Sequence, residues 1–421
     1  MKKEVREGYK MTDLGEIPNK WSVKKLKDVG YSVIGLTYSP DDLVGKEDGI
    51  LVLRSSNIKN SRISYDDNKY VNKIIAEKQI VKKDDILICS RNGSKELIGK
   101  CAIIDEKAEG TSFGAFMTVF RSDYNKYLFH VFNSYLFKRQ IYNNIGATIN
   151  QITTDNLNNF KVIIPTNDEQ EKISLILSTI DAQIDNTEKL IQKNQELKKG
   201  LMQQLLTKGI ENTEFKKTEI GCIPDKWQIK KLRDLADIKR GASPRPINDK
   251  KWFSNEKNIG WIRISDVTNT KKYLNATEQY LSEEGKKKSR LVKKNDLIMS
   301  ICATIGKPII LNMDACIHDG FVLFDNMLND NVDTEYLFYW LQKKEEEFKG
   351  MGQTGTQLNL NTTIVGNTII ALPSLVEQKK IAKILSELDG KLEQYQNKKE
   401  KLEELKKGLM QKLLLGTLRV I

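Results

Sequence analysis

Short polar stretches punctuate this chain and supply its chemistry. In the first half they are Arg54, Ser56 and Asn57, then Ser90, Arg91, Asn92, Ser94 and Lys95, then Thr148, Asn150 and Gln151. In the second half they are Arg240, Ser243 and Arg245, then Arg263, Ser265 and Asp266, then Thr304, and finally Thr356, Gln357 and Asn359. Such side chains read duplex DNA: Arg pairs with guanine and Asn or Gln with adenine in the major groove, while Lys and Ser hold phosphates. The same residue types also build ordinary turns, so both roles stay open.

Bond-making chemistry has no comparable pattern. Histidine occurs only at His130 and His318, without paired metal spacing. GSKELIGKC (93–101) superficially resembles a phosphate-binding loop, but five residues separate its glycines and Cys101 stands where Ser or Thr belongs. There is no G-x-S-x-G elbow. Asp85, Glu96 and Lys100 are too loosely spaced for a metal nuclease, and the second half lacks the acidic partner. We therefore expect no catalytic, metal or cofactor-binding residue in this chain.

The bulk properties fit a binder of polyanions. The 421 residues carry a formal charge of +12, which favours nucleic acid, although a lysine-rich composition alone would give the same number. The five cysteines form no C-x-x-C pair and suit a reducing cytoplasm, and MKKEVREGYK precedes no apolar stretch, so no secretory signal is expected. No run reaches the ~18 apolar residues of a membrane helix.

The elements that must position the polar stretches are built twice. MTDLGEIPNKWSVKKLKDVG (11–30) matches KTEIGCIPDKWQIKKLRDLA (217–236) at ten of twenty positions, and ELKKGLMQ occurs at both 196–203 and 404–411. Weaker echoes lie between: KKDDILI (82–88) with KKNDLIM (293–299), and Tyr127-Leu128-Phe129 with Tyr336-Leu337-Phe338. Each half ends in an apolar run and proline, KVIIP (161–165) and IIALP (369–373), followed by helical text. Short β-branched runs broken by Gly, Asn and Asp, mixed with helical signals, predict two similar strand-rich α+β globules. The expected order is a globule at 1–165, a helix at 166–208, a globule at 209–373 and a helix at 374–421.

Apolar residues at three-to-four spacing predict a seam along both helices. It runs through Ile173, Ile176, Ile180, Ile184, Leu197, Leu201 and Leu205 in the first, and Ile381, Ile384, Leu388, Leu392, Leu405, Leu409 and Leu413 in the second. A helix of roughly 57 Å outruns a globule of this size, so its stripe should meet another helix, although packing on its own globule is an alternative. A duplicated unit tends to assemble about a pseudo-twofold axis, which makes the helices antiparallel. With flush ends, Ile173 lies opposite Leu413. Gly200 and Gly408 cost ~1 kcal/mol each inside a helix; close approach of Ser386 and Ser178 across the seam is the expected reason, and a helix end the alternative.

LGEIPNKWSVKKL (14–26), IGCIPDKWQIKKL (220–232), IPTNDEQEKI (164–173) and LPSLVEQKKI (372–381), with ELKKGLMQQLL (196–206) and ELKKGLMQKLL (404–414), together resemble the specificity subunit of type I restriction–modification systems over nearly the whole chain. That resemblance implies two target recognition domains, each reading one half of a bipartite site in double-stranded DNA, with the helices as a coiled-coil-like spacer. It implies two methyltransferase subunits as partners, which carry S-adenosylmethionine and methylate adenine, and recruitment of restriction subunits. It implies no catalytic group here, in keeping with the absence of N-P-P-Y or D-P-P-Y. GTQ at 355–357 is similar to the family's glycine–threonine–glutamine turn, whereas GATINQ (146–151) displaces Gln151. Other classes compatible with the residues are a duplicated scaffold that clamps proteins and an unrecognised nuclease.

Overall fold

The computed structural model describes residues 5–145, 150–328, 330–353 and 360–420. The chain divides into two compact units, Met1–Glu188 with Asn397–Ile421, and Lys189–Gln396. Two long helices, Asn167–Lys208 and Leu375–Leu413, each give one half to each unit.

In the first unit Ile86–Cys89 is central to an antiparallel sheet ordered Cys101–Ile103, Ile86–Cys89, Met117–Arg121, Tyr31–Ile34. A second small sheet contains Ile50–Leu53 with Ser112–Phe113 parallel beside it. Ile86, Leu87, Ile88 and Cys89 are all buried, because both faces of this strand are covered. The second unit repeats the plan. Leu297–Ser300 lies between Phe321–Asp325 and Pro308–Leu311, and Ile259–Ile262 lies between Gln279–Leu281 and the parallel Ala315–Ile317. The two apolar runs that end in proline are strands too: Lys161–Ile164 pairs with Ser22–Lys25, and Ile369–Leu372 with Gln228–Lys231.

One joint holds globule to helix in both units. Trp21 and Trp227, the tryptophans of the I-P-x-K-W segments, are buried. The Trp21 indole donates to Glu169 Oε2 at 2.7 Å, and that of Trp227 to Glu377 Oε2 at 3.1 Å. Each glutamate sits in the first turn of its long helix, where the macrodipole favours a negative charge. The following glutamines, Gln170 and Gln378, donate to the carbonyls of Pro165 and Pro373. Burial of one such tryptophan stabilises a unit by on the order of 4 kcal/mol. The duplicated P-x-x-x-E-Q text is thus the locking device between strand, helix start and globule.

Within each unit the two helices run antiparallel. Lys406–Asp181 (2.6 Å) and Lys399–Glu188 (3.2 Å) bridge them in the first unit and Lys198–Asp389 (2.6 Å) in the second, while Arg419, just past the end of its helix, pairs with Glu169 at 2.7 Å. The residue numbers of each pair total 587 or 588, one or two positions from the flush-ended register. Ile173, Leu177, Leu413 and Leu414 are buried in one core with Ile176 and Leu409 partly covered; Leu205, Leu206, Ile381 and Leu385 are buried in the other with Leu201 and Ile384 partly covered. Ile180 and Leu388 are buried, and Ile184 and Leu392 half-buried.

Two expectations about this seam fail. Leu197 and Leu405 are each 50% exposed. Their neighbours Lys198 and Lys406 take the seam positions instead, because each ammonium finds an aspartate on the facing helix. Nor do Gly200 and Gly408 answer a close approach: a Cβ added to either would meet nothing within 4 Å. Ser178 instead lies 3.2 Å from His130 Nε2, and Ser386 accepts from Lys272 Nζ at 3.1 Å. The glycines that matter follow the helices. Gly209 and Gly416 have φ of +70° and +65°, and a Cβ would strike Glu377 Oε1 at 2.2 Å and Pro18 Cδ at 2.6 Å.

Candidate nucleic-acid interface

In the first unit, Arg91–Lys95 and Asn150–Gln151 form one surface with the turn after strand Ile50–Leu53. Arg91 and Gln151 face each other in an isolated antiparallel bridge. The Asn92 amide donates to Ser55 Oγ at 3.1 Å, and that of Asn150 to the Gly93 carbonyl at 2.9 Å. The Arg91 guanidinium lies 5.2 Å from the Phe116 ring centre, and Lys95 Nζ 4.4 Å from that of Tyr142. Both rings are exposed, Phe116 at 58% and Tyr142 at 67%. Cations laid over exposed rings next to amide donors suit contact with phosphates and bases. Sequence reading missed Phe116 and Tyr142; the signal for Phe116 was an aromatic residue just before the strand Met117–Arg121.

Not every candidate belongs to that surface. Asn57 is fully buried: its Oδ1 caps Arg54 N–H at 2.9 Å, and its amide donates to the carbonyls of Ser64 and Asp67. Ser90 is buried too and donates to the Phe116 carbonyl at 3.0 Å. Both are corrections to the sequence reading; they satisfy backbone groups of their own turns. Arg54 pairs with Asp67 at 2.8 Å, and Ser56 and Arg54 hold the Asp67 carboxyl below the usual range. Ser94 is exposed, with its N–H on Asn92 Oδ1. Thr148 lies outside the described residues, as do Thr356, Gln357 and Asn359.

The second unit brings Arg240, Ser243 and Arg245 together on a residue that sequence reading did not single out, Asp319. Ser243 Oγ donates to its Oδ1 at 2.8 Å, the Arg245 guanidinium reaches its Oδ2 at 2.7 Å, and Arg240 Nε donates to its carbonyl at 2.9 Å. His318 Nε2 lies 3.1 Å from the same carboxylate, and the His318 ring is 5.7 Å from Trp261, over which Arg263 lies. Burial raises the Asp319 carboxyl, but the Ser243 hydrogen bond and the charges of His318, Arg245 and Arg240 outweigh it and hold it ionised. Ser265 is exposed in the short helix Ile264–Thr268, and Thr304 Oγ1 lies 3.3 Å from Thr268 Oγ1. Asp266 is a correction: it caps Arg263 N–H at 2.7 Å and accepts from Glu278 N–H at 3.0 Å, so its role is local.

Residues that superficially suggest catalysis are occupied otherwise. Asp85 is buried against Arg121 at 3.0 Å and caps Lys82 N–H. Cys302 and His318 both approach Gly320, but His318 Nδ1 already accepts the Gly320 N–H at 2.9 Å, and burial pushes the Cys302 thiol up. A histidine so engaged cannot take the thiol's proton. Among the described residues no group of three His, Cys, Asp or Glu side chains is placed to hold a metal ion, and no helix is long and apolar enough to cross a membrane.

Two globules are thus each locked to a long helix, one presenting Arg91 and Lys95 among amide and hydroxyl groups, the other Arg240, Arg245 and Arg263 among hydroxyls. The family model of the type I restriction modification DNA specificity domain matches the chain twice, at residues 18–199 and 224–404. The chain is 30% identical to the one assigned as the MjaX type I restriction enzyme specificity subunit of Methanocaldococcus jannaschii, over 98% of this chain and 97% of that one. It is also 30% identical to the type I restriction enzyme MjaVIII specificity subunit of the same organism, over 65% of this chain and 66% of that one. The fold is that of the type I restriction–modification system S subunit from M. genitalium: TM-score 0.61, 15% identity, 96% of this chain and 99% of that one covered. The chain belongs to the family of type I restriction–modification DNA specificity subunits.

Proposed function

We propose that the two globules each read one half of a bipartite DNA site, and that the long helices fix the distance between the halves. The observation that carries this reading is the duplicated lock, Trp21–Glu169 and Trp227–Glu377. A reader fixed to the first turn of a helix cannot swing, so helix length becomes spacing along the duplex. Joining two modest readers raises the effective concentration of the second once the first is bound. The face of the first globule is Arg91, Asn92, Ser94, Lys95, Asn150 and Gln151 with Phe116 and Tyr142. That of the second is Arg240, Ser243, Arg245, Arg263, Ser265 and Thr304. The chain supplies recognition only. Methyltransferase subunits dock along the helices and bring S-adenosylmethionine and the chemistry of adenine methylation, and restriction subunits join them in the cytoplasm.

The experiment is to produce the chain together with its methyltransferase subunit and map methylated adenines. A split motif with a constant gap is expected. Insertion of one helical turn into 189–196 should widen that gap; an unchanged gap contradicts the spacing role, and methylation without any motif contradicts the reading as a whole.

A further inference from the structure

The second globule places a carboxylate in the middle of its donor face, where a polyanion would meet repulsion. Asp319 is only a quarter exposed, whereas the Arg245 side chain is 67% exposed. Asp319 is held by Ser243 from two sides, since Ser243 Oγ donates to its carboxylate and accepts its N–H at 3.2 Å. The aspartate is thus the fixed partner and the arginine the one that reaches outward. One Nη2 proton of Arg245 is engaged, which leaves Nη1 and the second Nη2 proton for another acceptor pair. Arg240 is anchored on the Asp319 carbonyl, so both guanidinium groups take their direction from one residue. A free arginine reaches a phosphate or a base in many rotamers; one held by a fixed, partly buried carboxylate presents its fork in fewer directions.

We infer that Asp319 is a specificity-positioning residue, which aims the Arg245 fork at N7 and O6 of a guanine in the half-site read by the second globule. This rests on the reading of the globules as half-site readers. An aspartate here weakens attraction to phosphate and so favours base contact over phosphate contact. When water leaves the interface the Asp319–Arg245 pair, weak while exposed, gains strength, and the orientation with it. In the first globule Arg54 pairs with Asp67, but there the exposure is reversed, the arginine side chain 29% and the aspartate 55% exposed, and Arg91 lies over Phe116 instead of on a carboxylate.

The test uses the chain co-produced with its methyltransferase subunit and a library of random-sequence duplexes, with methylated molecules sequenced for wild type, Asp319→Asn, Arg245→Ala and the double variant. The expected wild-type motif has a guanine in one half-site. Both single variants should admit other bases at that one position, with about a tenfold loss of discrimination, and leave the other half-site intact. The double variant should lose no more than Arg245→Ala, as expected of two groups acting through one contact. Asp319→Asn should also raise affinity for non-target duplex. The idea is overturned if Arg245→Ala relaxes no guanine, if Asp319→Asn changes no position while Arg245→Ala does, or if their effects add. Should Asp319→Asn fail to accumulate, Asp319→Ser takes its place in the comparison. A wild-type chain that gives no split motif defeats the half-site reading itself, whereas a split motif unaffected by these variants defeats only the role of Asp319.

Discussion

The two units share a frame and differ at what the frame carries. Trp21, Glu169 and Gln170 recur as Trp227, Glu377 and Gln378, with the same hydrogen bonds in each. Lys406–Asp181 recurs as Lys198–Asp389. Next to that pair the units diverge. In the first, His130 is buried beside Ser178 and Asp181. In the second, Tyr339 takes the same place in Y-L-F-x and donates to Asp389 at 2.7 Å, with the buried Lys272 against both it and Ser386. The outer faces diverge further, into arginine and lysine over exposed rings in one and arginines on Asp319 in the other. Backbone capping, strand pairing and helix docking tolerate few alternatives, while a polar face must differ if two half-sites are to differ.

The largest effects should come from the shared frame. Trp21→Ala should destabilise the first unit, and Trp227→Ala the second, by about 3–5 kcal/mol, and each leaves a glutamate without its indole partner. Denaturant unfolding followed by hydrogen exchange in each unit checks this; equal loss of protection in both units from either variant would deny them separate cores.

The next effect separates the units by pH. Burial, together with Lys406, pushes His130 down to about 4, against an opposing pull from Asp181. In the unfolded chain it takes a proton near 6.5. Its contribution is therefore complete above pH 6.5 and is lost as pH falls toward 4, at most about 1.4 kcal/mol per pH unit. Tyr339, raised above the ordinary phenol range mainly by burial, stays neutral throughout. His130→Tyr, which installs the residue of the second unit, should flatten the acid side of the first unit's stability between those values, as read from unfolding midpoints. Glu169, lowered by Arg419, Trp21 and Thr166 against its burial, adds a further loss only as pH falls below about 4.5.

The smallest effects distinguish two kinds of glycine. Gly200→Ala and Gly408→Ala should each stabilise by about 0.5–1 kcal/mol, since both sit in open space within a helix. Gly209→Ala should destabilise by more than about 1 kcal/mol, because its φ and the Glu377 side chain both oppose a Cβ. Thermal melts of the four single variants, Gly416→Ala included, give the comparison.

What the sequence reveals follows from what repetition and periodicity encode. The duplicated text marked the two globules and the two helices, three-to-four spacing constrained which face is buried, and flush ends on a pseudo-twofold axis gave a register within two residues of that observed. It misplaced Leu197 and Leu405 because a lysine with a facing aspartate outcompetes an adjacent leucine for a seam position, and the aspartate is about 190 or more residues away in the chain. The polar face was less legible. Asn57, Ser90 and Asp266 have the same composition as readers, yet satisfy backbone groups of their own turns, which only the fold reveals. Asp319 escaped notice because an acidic residue in a polar loop has value only through the arginines that three-dimensional packing delivers to it.

Exchange of residues 12–163 for the matching globule of another family member, followed by mapping of methylated adenines, tests the central claim most directly. One half of the motif should change while the other half and the gap persist. A motif that changes in both halves, or in neither, would contradict two independent readers on a shared frame.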